Sequence, residues 1–132
     1  MQYEKIEEYK VACIAEPEDF ELFGITIEDI LNRTQDGFHF LHKIKELAGA
    51  NQKIEWTNTA YTLQINMLSE GRVLIVFSET IADYLVSLRQ SMKMMSEENR
   101  MAMQQLIDAL ENAEPEAARK MIRLFEQNIR NV

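Results

Sequence analysis

Two histidines three residues apart come nearest to a metal-binding pattern in this sequence. His39 and His42 would project from the same side of a helix, a spacing that can bring two imidazoles to one ion. A zinc site needs further ligands, and no Cys, His or Glu-rich motif supplies them at a recognisable distance. We therefore interpret both as surface or core-edge histidines and predict no metal.

Other residue types that are common in catalytic and ligand-binding sites are present, but the neighbouring groups that such sites require are not found beside them in the sequence. The carboxylates of Glu7-Glu8 and Glu97-Glu98 are paired only in sequence, and the four glycines form no phosphate-binding loop. No serine lies in a Gly-x-Ser-x-Gly setting. Cys13 is the only cysteine, and its apolar surroundings are typical of an inert core thiol. We predict no catalytic residue, no cofactor and no enzymatic activity; an enzyme whose acid–base groups converge from distant positions stays an open alternative.

Composition limits the classes of partner. Hydrophobic residues make up 46% and charged residues 27% of 132 residues, values typical of a globular protein with a buried core. The net charge of −8 is uneven: residues 1–80 hold 14 acidic and 7 basic side chains, whereas residues 81–132 hold 8 and 7. Such a chain repels nucleic acid but suits either a basic protein partner or a solvated surface. No apolar run approaches a membrane span and no signal peptide opens the chain, which predicts a cytoplasmic protein without membrane contact.

The pattern over residues 1–79 is that of an α+β domain. Residues 2–6 and 10–15 predict a hairpin. Thr26 is the candidate cap of one helix, and either Thr34 or Asp36 is the candidate cap of a second. The apolar face of the second helix extends to Ala48, and Gly49 directly after it predicts the end of the helix. Residues 61–67 alternate as a half-buried strand, and residues 73–77 follow the Glu70-Gly71 turn as a more central strand. We predict an antiparallel β-β-α-α-β-β sheet with helices on one face.

The region from 80 to 132 is predicted to be a helical arm: an αα-hairpin or coiled coil, or else an arm of three helices. Thr80 and Pro115 mark two helix starts. Between them, apolar residues recur at four- and three-residue steps around a single polar position, Asn99. Ser96 is an alternative cap that would divide this seam into two helices. The residues of the seam are Ile81, Leu85, Leu88, Met92, Met95, Asn99, Ala102, Leu106 and Ala109; the stripe of the last helix is Ala118, Ile122, Phe125, Ile129 and Val132.

Methionine is concentrated in this arm, because Met92, Met94, Met95, Met101 and Met103 lie within 12 residues. Unbranched thioether side chains adapt to irregular partner surfaces, although a helical core that uses methionine gives the same pattern. Before the arm, Trp56 is either a recognition residue or a lid over the sheet. The residues predicted to bind a protein partner are Trp56, Leu88, Met92, Met95, Met103 and Phe125.

Residues 1–79 resemble the N-terminal domain of the MecA family, whose members are negative regulators of genetic competence. The order and spacing of short stretches carry this resemblance. They are Glu4-Lys5-Ile6 leading into Tyr9-Lys10-Val11, Phe23-Gly24-Ile25 with Asp29-Ile30, Asn32-Arg33, Phe38 to Ile44, Glu55-Trp56, Leu63-Gln64-Ile65 and the Gly71 hairpin.

The resemblance implies an adaptor that holds a client protein, such as a transcription regulator, for proteolysis by a ClpC-type AAA+ unfoldase. In that family a separate mixed α/β domain docks on the unfoldase, whereas residues 80–132 are predicted to be helical throughout. Two alternatives to the adaptor therefore remain, the stand-alone oligomeric scaffold that associates through residues 80–132 and the enzyme noted above.

Overall fold

The computed structural model describes residues 1–57 and 61–130, with side chains of the last helix described as far as Phe125. Within these residues, four strands and six α-helices follow one another. They are β1 (Gln2–Glu7), β2 (Lys10–Ala15), α1 (Pro17–Phe23), α2 (Ile27–Leu31), α3 (Gln35–Gln52), β3 (Thr62–Met67), β4 (Val73–Ser78), α4 (Ile81–Met92), α5 (Glu97–Asn112) and α6 (Pro115–Arg130).

The strands form one sheet in the order β1-β2-β4-β3, with β2 antiparallel to both β1 and β4. Successive side chains of a strand point to opposite faces, so every second residue is available for the core. On β2 and β4 these residues lie directly opposite each other and are buried, in the pairs Val11–Phe77, Cys13–Ile75 and Ala15–Val73. Residues of α3, including Phe40, Leu41 and Ile44, are buried as well. The predicted α+β class and the central position of β4 are confirmed.

Helix starts in this region follow the predicted capping chemistry. The hydroxyl of Thr26 accepts a hydrogen bond from the Asp29 amide at 3.3 Å, and that of Thr34 accepts one from the Gly37 amide at 3.1 Å. The sequence analysis missed α1, which precedes both helices. Its start is a capping box of Glu16 and Asp19, in which the Asp19 carboxylate accepts a hydrogen bond from the Glu16 amide at 2.8 Å. Short helices of this kind are held by end contacts rather than by an apolar stripe, so periodicity does not reveal them.

Helix α3 contains two glycines, Gly37 and Gly49, and neither of them ends the helix. Gly49 does not end the helix; it lies within it and is buried, and Lys53 takes the left-handed conformation that ends α3, with φ of 58°. The Lys53 amide donates to the Gly49 carbonyl. Gly37 lets α2 approach α3, since a Cβ added there would lie 2.1 Å from the Asp29 carbonyl oxygen. Any side chain at position 37 would therefore push the two helices apart.

The arm consists of three helices, so the continuous coiled-coil seam from Ile81 to Ala109 is wrong as a single helix. Helix α4 ends at Met92, and α5 begins after Ser96, whose hydroxyl accepts a hydrogen bond from the Asn99 amide at 3.4 Å. The alternative cap at Ser96 is thus the one realised. The predicted starts at Thr80 and Pro115 are confirmed, with Thr80 accepting a hydrogen bond from the Asp83 amide at 3.2 Å.

The phase of burial on α5 also differs from the prediction. Ile107 and Leu110 are the buried residues of this helix, whereas the seam positions Asn99, Ala102 and Ala109 are exposed. The remaining seam position, Leu106, is half-buried and packs against the core, so the core uses one edge of the predicted seam together with the adjacent positions. On α6, Ala118 and Ile122 are buried as predicted and Phe125 is half-buried; the side chains of Ile129 and Val132 lie outside the described part.

The chain divides into two compact units. The first unit comprises Met1–Glu55 and Leu63–Ser78, and the second comprises Trp56–Thr62 and Glu79–Val132. The core of the second unit contains four buried residues, Tyr84, Leu110, Ala118 and Ile122, with half-buried apolar residues such as Ile81, Leu85 and Met121 packed against them. None of the helices in the described ranges has the length and apolar character that a membrane span requires.

Candidate functional site: a methionine-lined groove

An open apolar groove lies between α5 and α6 of the second unit. Its volume is about 360 Å³, and its lining is apolar except for one amide; we call it the methionine groove, and its residues are Met95, Asn99, Ala102, Met103, Leu106 and Phe125. Met95 precedes the α5 cap, the next four follow one side of α5, and Phe125 projects from α6. This volume is at the small end of protein clefts that bind ligands, so it suits a few side chains of a partner.

The groove is open because the three helices pack closely at one end only. The buried residues of the core come from the last part of α5 and the first part of α6, in a cluster with Tyr84 of α4. Met95, Met103 and Phe125, nearer the start of α5 and the later part of α6, are half-buried. Methionine side chains are flexible and unbranched, so this end can adapt to the shape of a partner.

Three of the six residues predicted to bind a partner meet in this groove, namely Met95, Met103 and Phe125. The other three lie elsewhere. Leu88 packs against the core cluster of the second unit, and Met92 is half-buried at the last position of α4. Trp56 is half-buried in the extended chain after α3 and does not line the groove. The structure therefore brings together the residues of α5 and α6.

A buried polar cluster holds the segment after α3 within the second unit. The carboxylate of Glu79 is fully buried and accepts hydrogen bonds from the amide and the hydroxyl of Thr57, at 2.9 and 3.2 Å. The guanidinium of Arg119 lies 3.8 Å from the same carboxylate oxygen and donates a hydrogen bond to the Thr57 hydroxyl at 3.3 Å. A buried carboxylate requires such partners because its desolvation is costly. The sequence analysis missed these residues, since no spacing links positions 57, 79 and 119.

The first unit has a cleft of its own, between the end of α1 and the first turns of α3. It has a volume of about 320 Å³, and we call it the helix cleft; its residues are Phe23, Gly24, Ile25, Asp36, His39, Phe40 and Lys43. The rings of Phe23 and Phe40 meet edge to face, with centroids 5.2 Å apart, so the floor of the cleft is aromatic. Gly24 ends α1 in the left-handed conformation, with φ of 67°, and that turn directs the chain along the rim.

The residues considered for chemistry lie apart. His39 and His42 are both exposed, and the Nε2 atom of His42 lies 3.3 Å from a carboxylate oxygen of Glu46. In residues 1–57 and 61–130, no three His, Cys, Asp or Glu side chains come together as candidate metal ligands. Burial raises the pKa of the Cys13 thiol to about 12, so this thiol is protonated at neutral pH and is a poor nucleophile.

Comparison with known families gives a match over almost the entire chain. The model of the MecA family, described as negative regulator of genetic competence, matches residues 1–130. The chain belongs to the MecA family. No match was found among curated proteins or among solved structures. Membership confirms the resemblance that the sequence analysis drew from residues 1–79.

The extent of the match adds to that resemblance. MecA is a family of non-catalytic adaptors that regulate competence, and the matched region includes α4, α5 and α6. These helices lack the mixed α/β pattern of the usual docking domain, and the resemblance drawn from the sequence therefore ends at residue 79. In this member of the MecA family, both the helix cleft and the methionine groove therefore lie within the matched region.

Proposed function

We propose that this MecA-family chain is a non-catalytic adaptor that captures a client protein and presents it to a ClpC-type AAA+ unfoldase. The observation that carries the proposal is the family match over residues 1–130, which spans both compact units. An adaptor needs at least two binding surfaces, one for the client and one for the machine that receives it. A chain that contains two separate units has room for both.

The client surface is proposed to be the helix cleft of the first unit. Its aromatic floor has room for about one large apolar side chain, and its lining includes one cation, Lys43, and one carboxylate, Asp36. Within the part of the chain that the structure describes, Lys43 forms no ion pair and donates no hydrogen bond. The occupant proposed here is accordingly a client segment with an apolar side chain next to a carboxylate.

Exposed apolar side chains also occur on the helices that line the cleft. Leu22 of α1 is 80% exposed, and Phe38 of α3 is 53% exposed, although neither lines the cleft. Contiguous exposed apolar surface marks protein-binding sites, whereas single exposed apolar residues are common, so the residue that supports this placement is one that lines the cleft. Phe23 connects the two features, because it lines the cleft and is itself 39% exposed.

The proposal that the chain has no enzymatic activity is supported by its family and by the separation of its reactive groups. The two histidines are exposed on one helix, and the buried Cys13 thiol belongs to the sheet. A nucleophile and its base must lie within hydrogen-bond distance, directly or through one water. Neither histidine lies in such a contact with Cys13 among the described residues.

Binding of the client and of the unfoldase can be tested with the unaltered chain. The chain is immobilised and exposed to a native bacterial lysate, and the captured proteins are identified by mass spectrometry. We expect a ClpC-type unfoldase and a client in the captured set, and we expect the purified chain to raise ATP hydrolysis by that unfoldase. An unfoldase that is neither captured nor activated would contradict the adaptor proposal and favour the scaffold alternative.

The client surface is tested by Phe23→Ala and Lys43→Glu. Each should lower the amount of captured client by about tenfold, the effect of losing a typical interface hot spot. Lys120→Glu makes the same charge change at an exposed position of α6 and is the matched control. Equal loss of client with Lys43→Glu and Lys120→Glu would show that overall charge, rather than the helix cleft, controls binding.

A further inference from the structure

We infer that the outer edge of β1 is a binding site for an extended, basic segment of a partner protein, which adds to the sheet as a parallel strand and displaces the side chain of Gln52. This inference concerns the first unit only and does not depend on the helix cleft. It rests on the exposure of β1, on two hydrogen bonds between Gln52 and the backbone of β1, and on an exposed carboxylate beside them.

Strand β1 lies at one edge of the sheet, next to β2. Five of its six residues are exposed, so a further strand has access to its backbone. In an antiparallel pair, residues that bond to the neighbouring strand alternate with residues whose amide and carbonyl point away from it. Tyr3 and Lys5 are of the second kind, because the Tyr3 carbonyl and the Lys5 amide both bond to a side chain outside the sheet. Such outward groups are a template for an added strand.

The side chain of Gln52, the last residue of α3, takes the place of one residue of that strand. Its oxygen accepts a hydrogen bond from the Lys5 amide at 3.1 Å, and its nitrogen donates one to the Tyr3 carbonyl at 3.4 Å. In an antiparallel ladder, one residue exchanges both bonds with a single residue opposite. In a parallel ladder, one residue bonds the two residues on either side of its neighbour. Gln52 follows the second pattern, with Glu4 as the neighbour, so the edge is arranged for a parallel strand.

An added strand forms more hydrogen bonds with this edge than Gln52 does. Within the described part of the chain, the Tyr3 amide and the Lys5 carbonyl have no hydrogen-bond partner. A parallel strand replaces the two bonds of Gln52 and supplies partners for these two groups as well. The displaced Gln52 amide stays half-buried beside the exposed Asn51, whose side-chain oxygen already accepts from it at 2.6 Å. Water and Asn51 then satisfy Gln52, so its release leaves no buried polar group unpaired.

The exposed charges of β1 favour a basic segment. Glu4 lies between the two residues that Gln52 bonds, and its carboxylate forms no ion pair with any residue that the structure describes. Lys5 already pairs with Glu8 at 2.9 Å. The partner residue that replaces Gln52 lies directly opposite Glu4 and on the same face of the sheet. A lysine or arginine at that position therefore forms a cross-strand pair of opposite charge.

The binding site is tested with a fluorescent peptide of about seven residues, a usual strand length, in which valine and threonine alternate around a central lysine. Fluorescence anisotropy measures its binding to the full chain. Gln52→Ala should tighten binding about fivefold, the factor for one net hydrogen bond, because the peptide no longer displaces the glutamine. The matched control is Gln35→Ala, an exposed glutamine at the other end of α3, which should bind like the unaltered chain.

Three results of this experiment would overturn the inference. They are a peptide that does not bind, equal affinities of the Gln52→Ala and unaltered chains, and self-association of Gln52→Ala without peptide binding. The last result would show that Gln52 only protects the edge from a second copy of the chain.

The backbone contacts are tested by removing one donor from each side. Lys5→Pro lacks the outward amide but keeps the bonds between β1 and β2, since proline is tolerated where the amide of an edge strand faces away from the sheet. It should lose peptide binding and keep the circular dichroism spectrum of the unaltered chain. A peptide methylated on the lysine nitrogen makes the matching test on the unaltered chain, because this nitrogen can no longer donate to the Tyr3 carbonyl. Methylation of the next nitrogen, which points away from β1, is its control. Binding that survives methylation of the lysine nitrogen would contradict the inference.

The direction of the added strand is tested by nuclear magnetic resonance. A nitroxide at the amino end of the peptide should broaden the amide signal of Gln2 more than that of Glu7, because the two strands run in the same direction. The Tyr3 amide should also exchange its hydrogen at least about tenfold more slowly when the peptide is bound, since it gains an acceptor. Greater broadening at Glu7, or an unchanged exchange rate at Tyr3, would refute the parallel addition.

Discussion

The two units of this chain bury their apolar side chains to different extents. In the first unit, the facing residues of β2 and β4 and the inner side of α3 are buried almost completely, as in Val11, Cys13, Ile44, Ile75 and Phe77. In the second unit, one end of the helix cluster is packed and the other is open. Met94 and Met101 are 91% and 67% exposed there. The difference indicates that the first unit has the larger buried core, whereas the second unit has a small core and an open end; large apolar side chains are exposed in both units, such as Leu22 and Phe38 in the first.

The physical cause of this difference is the number of neighbours that each element has. A strand within a sheet has partners on both sides and a layer of helices above it, so its inward residues have no route to water. A helix in a cluster of three has one face toward its neighbours and two faces outward. Short helices are marginal by themselves, so the second unit depends on its small core and on the polar cluster around Glu79.

The two units should differ most in the free energy of unfolding that is lost when one large apolar side chain of each is truncated to alanine. Ile44→Ala should lower the free energy of unfolding by about 2–5 kcal/mol, because the side chain is fully buried and leaves a cavity. Met103→Ala should lower it by about 1 kcal/mol or less, because Met103 is half-buried at the groove. Chemical denaturation followed by circular dichroism measures both.

This comparison has its own control in Met94→Ala. Met94 is more exposed than Met103, so its truncation should leave the free energy of unfolding within about 0.5 kcal/mol of that of the unaltered chain. If Met103→Ala proved as destabilising as Ile44→Ala, the groove would be a packed part of the core, and the contrast between the units would fail.

A smaller effect should separate a buried from an exposed ion pair within the second unit. Arg119→Met removes the cation 3.8 Å from the buried carboxylate of Glu79 together with the hydrogen bond that this cation donates to Thr57, and it should cost about 1.5–3 kcal/mol, the range for a hydrogen bond that involves a charged group. Arg89→Met removes the exposed partner of Glu111 and should cost less than about 1 kcal/mol, since solvent screens such pairs. Thermal unfolding at low and high salt distinguishes them, because only the exposed pair should weaken strongly with salt. Equal costs would show that the Glu79 cluster does not stabilise the second unit.

Much of the fold follows from local patterns in the sequence. The alternation over residues 61–67 predicts β3, and the caps at Thr26, Thr34 and Thr80 predict three helix starts, because each signal involves neighbours along the chain. The end of α3 does not follow in this way. Gly49 has the residue type of a helix end, but the apolar face continues past it, and Lys53 takes the left-handed conformation instead. Packing of the helix against the sheet outweighs the local preference.

The candidate site is less predictable because it depends on which face of α5 the core uses. Met95, Met103 and Phe125, three of the residues predicted to bind a partner, line one groove, whereas the heptad spacing placed Ala109 rather than Leu110 inward. A rotation of one residue about the helix axis decides between these, and that rotation is set by α4 and α6. The Glu79 cluster depends on contacts between positions 57, 79 and 119, which no local pattern encodes.

The next effect is a dependence of the free energy of unfolding on pH, which arises from Cys13 in the first unit. Burial raises the pKa of Cys13 from 9.0 to about 12, so the folded chain retains this proton at a pH where the unfolded chain has lost it. The stability that results is fully present below pH 9 and declines as the pH rises toward 12. Linkage gives a loss of up to about 1.4 kcal/mol per pH unit in this window. Cys13→Ala should abolish this part of the decline, as measured by denaturation between pH 9 and pH 10.5; an identical pH slope in both chains would contradict the burial of the thiol.

The smallest losses of stability are expected from removing helix caps. A cap that also contacts a second helix should cost more than a cap that bonds only its own helix. The Thr34 hydroxyl accepts from the Gly37 amide at the start of α3 and also lies 3.2 Å from the Asp29 carbonyl of α2. Thr34→Ala should therefore cost about 1–2 kcal/mol, whereas Ser96→Ala, at an exposed cap that bonds only the Asn99 amide, should cost about 0.5 kcal/mol. Thr34→Ser, which keeps the hydroxyl, should recover most of the loss. Hydrogen exchange of the first amides of each helix gives a local measure, and greater opening at α5 in Ser96→Ala than at α3 in Thr34→Ala would reverse the predicted order.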